Sequence, residues 1–216
     1  RENAQSLLET YVGKRTGARV LGGDIRRGDG DEIDAAIMFC DLRNSTGLEE
    51  KLGRSAYIAL LNEFFETVSG IVHDHGGEVL KFIGDAVLAV FPAGDDAAKA
   101  RHQAQLSAIE IVERLAELRN SESDRHWDCS IGVAYGRVTY GNVGSQERLD
   151  FTVIGQAANV AARLGEHGKT VGHRIVVSED IEPACADAVP LGPVKLHNVS
   201  QPVKSFALQT SVDALP

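Results

Sequence analysis

The 216-residue sequence has few cysteines, no long apolar run and no basic block, and each shortage closes off a class of function. The three cysteines, Cys40, Cys129 and Cys185, are odd in number and widely spaced, with no C-x-x-C pair or His/Cys cluster of zinc-site spacing. That argues against a zinc module and fits a reducing, cytoplasmic location. The most apolar stretches, around residues 35–40 and 86–93, fall far short of the ~20 residues needed to span a bilayer. No transmembrane helix, signal peptide or membrane contact from this segment is expected. Lys and Arg total 22 against 31 Asp and Glu, a formal net charge of −9, so the cationic face that non-specific nucleic-acid binding requires is missing. Internal repeats and low-complexity tracts are also absent. The chain begins at Arg1 rather than methionine, from which a missing upstream sensor or anchor is expected.

With 43% hydrophobic residues, the length supports one substantial core. A short helix (residues 2–15) and a glycine-rich, charged linker (16–32) are expected ahead of a single domain over residues 33–210. Residues 33–40 are apolar without alternation, as in a central strand buried on both faces. Apolar residues recur at three- and four-residue spacing over 56–75, and Gly76-Gly77 then ends a long amphipathic helix. His73-Asp74-His75 falls in its last turn, where histidines meet the helix dipole favourably, and reads as a helix end rather than a metal trio. Two β-like runs, 78–83 and 86–91, are separated only by Gly84-Asp85, a hairpin signal. A second helix is expected over 95–119 and a second hairpin from 127–135 and 137–143. A short strand at 151–154 then enters a helix over 156–164, and later strands are expected at 175–177, 194–196 and 203–208. The core order β-α-β-β-α-β is that of an α+β, ferredoxin-like antiparallel sheet with helices packed on one face, followed by extra C-terminal strands.

Asp41 stands where the first strand ends and Asp85 in the tight turn, and the helix between them carries the chain back so that these strands lie near each other. Converging carboxylates hold hard cations, and two such ions serve phosphoryl chemistry. Either aspartate alone reads more simply as a cap or turn residue. Leu42-Arg43-Asn44-Ser45-Thr46-Gly47 leads into another helix whose free N–H groups could receive a triphosphate, or is an ordinary Ser/Thr cap. Asn159 and Arg163 share one helix face, four residues apart. The planar guanidinium suits a phosphorane, although a solvated polar pair is an equally ordinary use of that spacing.

Four ordered motifs, MFCDLR (38–43), LKFIGDA (80–86), GRV (136–138) and TVIGQAANVAAR (152–163), together resemble the class III nucleotidyl cyclases over residues 33–208. The resemblance implies a palm-like fold, a catalytic domain within residues 33–210 and a head-to-tail homodimer with two shared sites. It further implies two divalent cations, Mg2+ or Mn2+, on Asp41 and Asp85, with Arg137 contacting phosphate from the same chain. The other chain would supply Lys81 and Thr152 to read the base, Asn159 to position the ribose and Arg163 to stabilise the transition state. Adenine presents an acceptor at N1 and a donor at N6, which an ammonium and a hydroxyl satisfy; guanine presents the reverse, so Lys81 favours ATP. The expected activity is ATP to 3′,5′-cyclic AMP and pyrophosphate, an adenylate cyclase. Two departures stand out. Asn44-Ser45 occupies the place of a frequent Gly-Phe, and Leu196-His197-Asn198-Val199 stands where a Lys-Gly pair often reaches the triphosphate, with Lys195 as the neighbouring substitute. A diguanylate cyclase is disfavoured because Gly22-Gly23-Asp24 runs on as Ile25-Arg26 and lies in the linker. A nucleotide-binding relative without catalysis has only the altered phosphate loop in its favour.

Overall fold

The computed structural model describes residues 30–121, 127–145, 149–181 and 188–213. In chain order the elements are β1 (Gly30–Leu42), α1 (Ser45–Leu52), α2 (Arg54–Asp74), β2 (Glu78–Ile83), β3 (Ala86–Pro92), α3 (Ala97–Ser121), β4 (Cys129–Gly144), β5 (Leu149–Ile154), α4 (Gln156–Val171), β6 (Ile175–Ser178), a 3-10 turn (Glu179–Ile181), β7 (Val189–Val194) and β8 (Val203–Leu208). They build one eight-stranded sheet in the order β2-β3-β1-β4-β6-β8-β7, with β5 paired to the free length of β4. All pairings are antiparallel except β4 with β6.

Strand alternation divides β1 between two cores. Ala36, Met38 and Cys40 face α2 and α3, whose apolar stripes include Leu60, Phe64, Val68, Ala104, Ala108 and Ile111. These are the two helices of the β-α-β-β-α-β unit, and they share a face as expected. Ala35 and Ile37 turn the other way and meet α4 through Ala157, Val160, Ala161 and Leu164. The fourth helix therefore covers the opposite face of the sheet.

The expected second hairpin is instead one 16-residue strand, β4, paired with β1 from Leu42↔Cys129 to Gly30↔Gly141. Gly136, which reads as a turn residue, lies within the strand opposite Ala35, and a Cβ there would sit 3.3 Å from that of Ala157. Gly132 is more constrained, since a Cβ would fall 1.9 Å from the Ala161 carbonyl oxygen. These glycines let α4 approach the sheet; they do not turn the chain. The same misreading shortens α4 in the sequence. Gly165 and Gly168 resemble helix breakers, yet both are buried in the helix, Gly165 against the Gly132 backbone, and α4 runs on to Val171.

Two boundaries also shift. Gly30 to Glu32, expected in the linker, belong to β1 and pair with Gly141 to Thr139. The strand expected at 194–196 is β7, ending at Val194, after which Leu196 turns into the α4-side core. The expected N-terminal helix and most of the linker, the Gly22-Gly23-Asp24 segment and Cys185 lie outside the described residues. Cys40 and Cys129 are buried free thiols. His75 ends α2 and pairs with Glu110 at 2.7 Å, consistent with the helix-end reading. No helix among the described residues is long and apolar enough to cross a membrane.

Candidate active site

Asp41 is the next-to-last residue of β1, aligned with Ala86 on one side and Ser130 on the other. Gly84 takes φ 63° to close the β2–β3 turn, and the Leu42 N–H donates to the Asp85 carbonyl at 3.3 Å. The turn thus brings Asp85 beside the end of β1. The two aspartates share a cleft of about 230 Å³ whose other walls are Phe39, Ile83, Ala86, Ser130, Ala162, Gly165 and Glu166. Burial pushes the Asp41 carboxyl above its ordinary pKa; the Lys169 ammonium pulls it back, and the charges of Asp85 and Glu166 raise it further. Lys169, from the last turns of α4, donates directly to Asp41 Oδ2.

A partly buried, oxygen-only carboxylate pair that already attracts an ammonium fits a hard divalent cation. No group of three or more His, Cys, Asp or Glu side chains among the described residues forms a metal cage. Two carboxylates with open positions are what Mg2+ uses when substrate phosphates and water complete its shell.

The loop after Asp41 divides its labour. Leu42 is buried among the residues packed on α2 and α3. Arg43 turns away from the cleft: its guanidinium donates to the His173 carbonyl at 2.7 Å and to Ser130 Oγ at 3.4 Å, and lies 3.8 Å from Asp128. Arg174 continues this network, bonding Asp128 at 2.8 Å and Asp213 at 2.6 Å. Within the chain Arg43 therefore braces the loop. Asn44 enters the left-handed region (φ 56°) as the N-cap of α1 without a side-chain capping bond, and Ser45 and Thr46 open the helix. The first helical N–H groups at Ser45, Thr46 and Gly47 have no intrahelical acceptor, so they remain free to bind an anion. Tyr57 closes this side; burial and the charge of Asp85 raise its hydroxyl pKa, while a hydrogen bond with Ser45 lowers it.

A second group lies where the β4–β5 arm curls over to β2. Lys81 donates to Asp150 at 3.3 Å, and Tyr140 donates to Glu78 at 2.7 Å. Thr152 follows Asp150 on the same face of β5, two residues along. Asn159 is exposed on α4, and Arg163 donates to both carboxylate oxygens of Glu166, at 3.0 and 2.8 Å.

Two expected residues stand apart. Arg137 is aligned with Asp34 and bonds its carboxylate at 3.3 and 3.4 Å. Along β1 that is seven residues from Asp41, about 23 Å at strand spacing, so within one chain Arg137 does not join the two aspartates. Lys195 is exposed beside the anchored Leu196; the lysine that reaches Asp41 is Lys169. Glu166, Lys169, Asp150 and Tyr57 are the site residues that sequence reasoning passed over. A helix continued beyond Leu164 at three-, four- and seven-residue spacing from Ala162 would have found the first two.

Residues 31–201 match the family described as the adenylate and guanylate cyclase catalytic domain. Two uncharacterized Mycobacterium tuberculosis proteins are 34% identical over 188 residues and 37% identical over 179, covering 87% and 82% of this chain. The chain spans about a third of each, 34% and 30% of their lengths. Among solved structures, a bacterial light-regulated adenylyl cyclase superposes with TM-score 0.82 at 26% identity, covering 96% of this chain and 61% of that one. The adenylyl cyclase CyaB from P. aeruginosa gives 0.75 at 25% identity, with 86% and 98% covered. The guanylyl cyclase Cya2 gives 0.70 at 26% identity, with 82% and 92% covered.

Proposed function

Because the chain belongs to the adenylate and guanylate cyclase catalytic-domain family, we propose that it converts ATP to 3′,5′-cyclic AMP and pyrophosphate at two equivalent sites shared by a head-to-tail homodimer. The observation that carries this reading is the Asp41–Asp85 pair at the mouth of one cleft. With both carboxylates ionised, the pair holds two divalent cations, Mg2+ or Mn2+, which supply an acidified ribose 3′-hydroxyl and charge neutralisation along the phosphates. The open N-terminus of α1, Asn44 to Thr46, receives triphosphate oxygens on its N–H groups, and the Arg43 network keeps that loop in place.

The partner chain's copies of Lys81, Thr152, Asn159 and Arg163 complete the site. Asp150 holds the Lys81 ammonium over β5, where it donates to adenine N1, and the Thr152 hydroxyl accepts from N6. Asn159 orients the ribose so that its 3′-oxygen lies in line with the α-phosphorus, and Arg163 leaves Glu166 to donate to the pentacoordinate phosphate. Arg137 is not assigned to the aspartate half, given its alignment with Asp34, seven residues along β1 from Asp41. The catalytic domain is assigned to residues 33–210, extended at its start by Gly30 to Glu32 of β1, and to the cytoplasm.

A second reading, in which Arg163 serves the aspartates of its own chain, draws on Glu166, which lines that cleft and holds Arg163. Incubation of the purified chain with ATP or GTP and either metal, followed by chromatographic identification of the product, tests the function. Cyclic AMP is the expected product. Absence of a cyclic nucleotide under every combination would overturn the enzymatic reading, and cyclic GMP alone would overturn the base assignment.

A further inference from the structure

The proposed chemistry leaves Lys169 without a task, yet its ammonium lies on Asp41, 128 residues away in sequence. Three carboxylates border the cleft, Asp41, Asp85 and Glu166, and two cations of α4 are committed to two of them: Arg163 to Glu166 and Lys169 to Asp41. The Lys169 side chain is 39% exposed and that of Asp41 28%, so the pair sits at the cleft mouth rather than in the core. The helix bearing it is fixed, because the Gly132 contact seats α4 against β4. Its side chain is free to swing, since four methylenes separate the ammonium from that backbone. A divalent ion binding Asp41 meets this positive charge at the same carboxylate, and two cations in that space repel.

We propose that Lys169 is a tethered competitor for the metal: it neutralises Asp41 in the metal-free chain and sets the divalent-cation concentration at which the cleft fills. This rests on the reading of Asp41 and Asp85 as the metal-holding pair. In that role the lysine raises the concentration of metal needed for occupancy, and its removal lowers it.

The test is a Mn2+ titration of the whole chain without nucleotide, with free Mn2+ followed by its electron paramagnetic resonance signal. Lys169→Gln and Lys169→Ala are expected to bind Mn2+ about three- to fivefold more tightly than the unaltered chain, the scale of one partly exposed ion pair. Lys169→Arg, which keeps the charge, stays close to the unaltered chain. Lys204→Gln removes the same charge from β8, where Lys204 pairs with Glu179 at 3.2 Å, and leaves the affinity unchanged. Affinity that stays equal or weakens in Lys169→Gln and Lys169→Ala overturns the proposal, as does an equal gain in Lys204→Gln. Asp41→Asn separates the two levels of inference. If Mn2+ binding depends on Asp41 but not on Lys169, only the competitor role fails; if it is independent of Asp41, the metal reading fails with it.

Discussion

The two faces of the sheet are built on different terms. The face covered by α2 and α3 is sealed at its centre, where Phe64, Val68, Ala104, Ala108 and Ile111 are fully buried, and its β2 edge is open, where Phe82 stacks on Phe65 and stays 50% exposed. The face covered by α4 is half finished. Beside the buried Ala161 and Leu164 it displays Lys81, Thr152, Asn159 and Arg163, and the nearby apolar residues Ile83, Val143 and Ile154 remain 40–51% exposed. Apolar surface left open around a polar cluster marks an interaction site, and in the proposed function it is this second face that meets a partner chain and a nucleotide.

That contrast predicts that substitutions on the two sides fail differently. The largest effect belongs to Asp85→Ala, which removes a carboxylate from the cleft without touching either core. Cyclase activity should fall on the order of 10³-fold or more while the unfolding midpoint in urea stays in place. Phe64→Ala inverts the pattern: loss of a fully buried ring should cost about 3–5 kcal/mol of stability in urea titrations, with activity per folded molecule retained. If Asp85→Ala unfolded the chain, or Phe64→Ala abolished activity without loss of stability, the division between faces would be wrong. Ile154→Asp comes next. On the open face it should weaken self-association about tenfold by sedimentation equilibrium and leave secondary structure unchanged by circular dichroism.

The smallest effect concerns pH. Metal binding requires ionised Asp41, whose carboxyl pKa is raised by burial. Protons should therefore compete with Mn2+ at a higher pH than for an ordinary exposed aspartate, with affinity falling as pH drops through that raised value. An acid limb confined to the ordinary carboxylate range would remove the burial argument.

The helix α2 on the sealed face was legible because periodicity reports one-sided burial, although the spacing through Ile58, Leu61, Phe65, Val68 and Val72 missed its centre: Ile58 is 53% exposed and the buried line runs through Leu60, Phe64 and Val68. The placement of Asp41 at a strand end and of Asp85 in a tight turn was legible because those features carry local signals, whereas a role for either came only with the other motifs. Glycine was the misleading residue. Gly132, Gly136 and Gly165 are selected by the approach of α4 to β4, and Gly168 by the His173 carbonyl and Val176 of β6; no local pattern distinguishes such a glycine from a breaker. Reading Gly136 as a turn divided β4 in two, and ending the helix before Gly165 shortened α4, which removed Glu166 and Lys169 from view. The partners of Arg43, Asp128 and the His173 carbonyl, are likewise distant in sequence and left no local signal.

In the proposed enzyme Asp85 and Arg163 of different copies serve one site, and mixing Asp85→Ala chains with Arg163→Ala chains is the decisive test. Each variant alone should be inactive. Random mixing makes half of the dimers mixed, and each mixed dimer carries one intact site of two, so about a quarter of the unaltered activity should return. Mixed dimers verified by native mass spectrometry yet as inactive as either parent would contradict the shared site and favour a cleft completed within one chain.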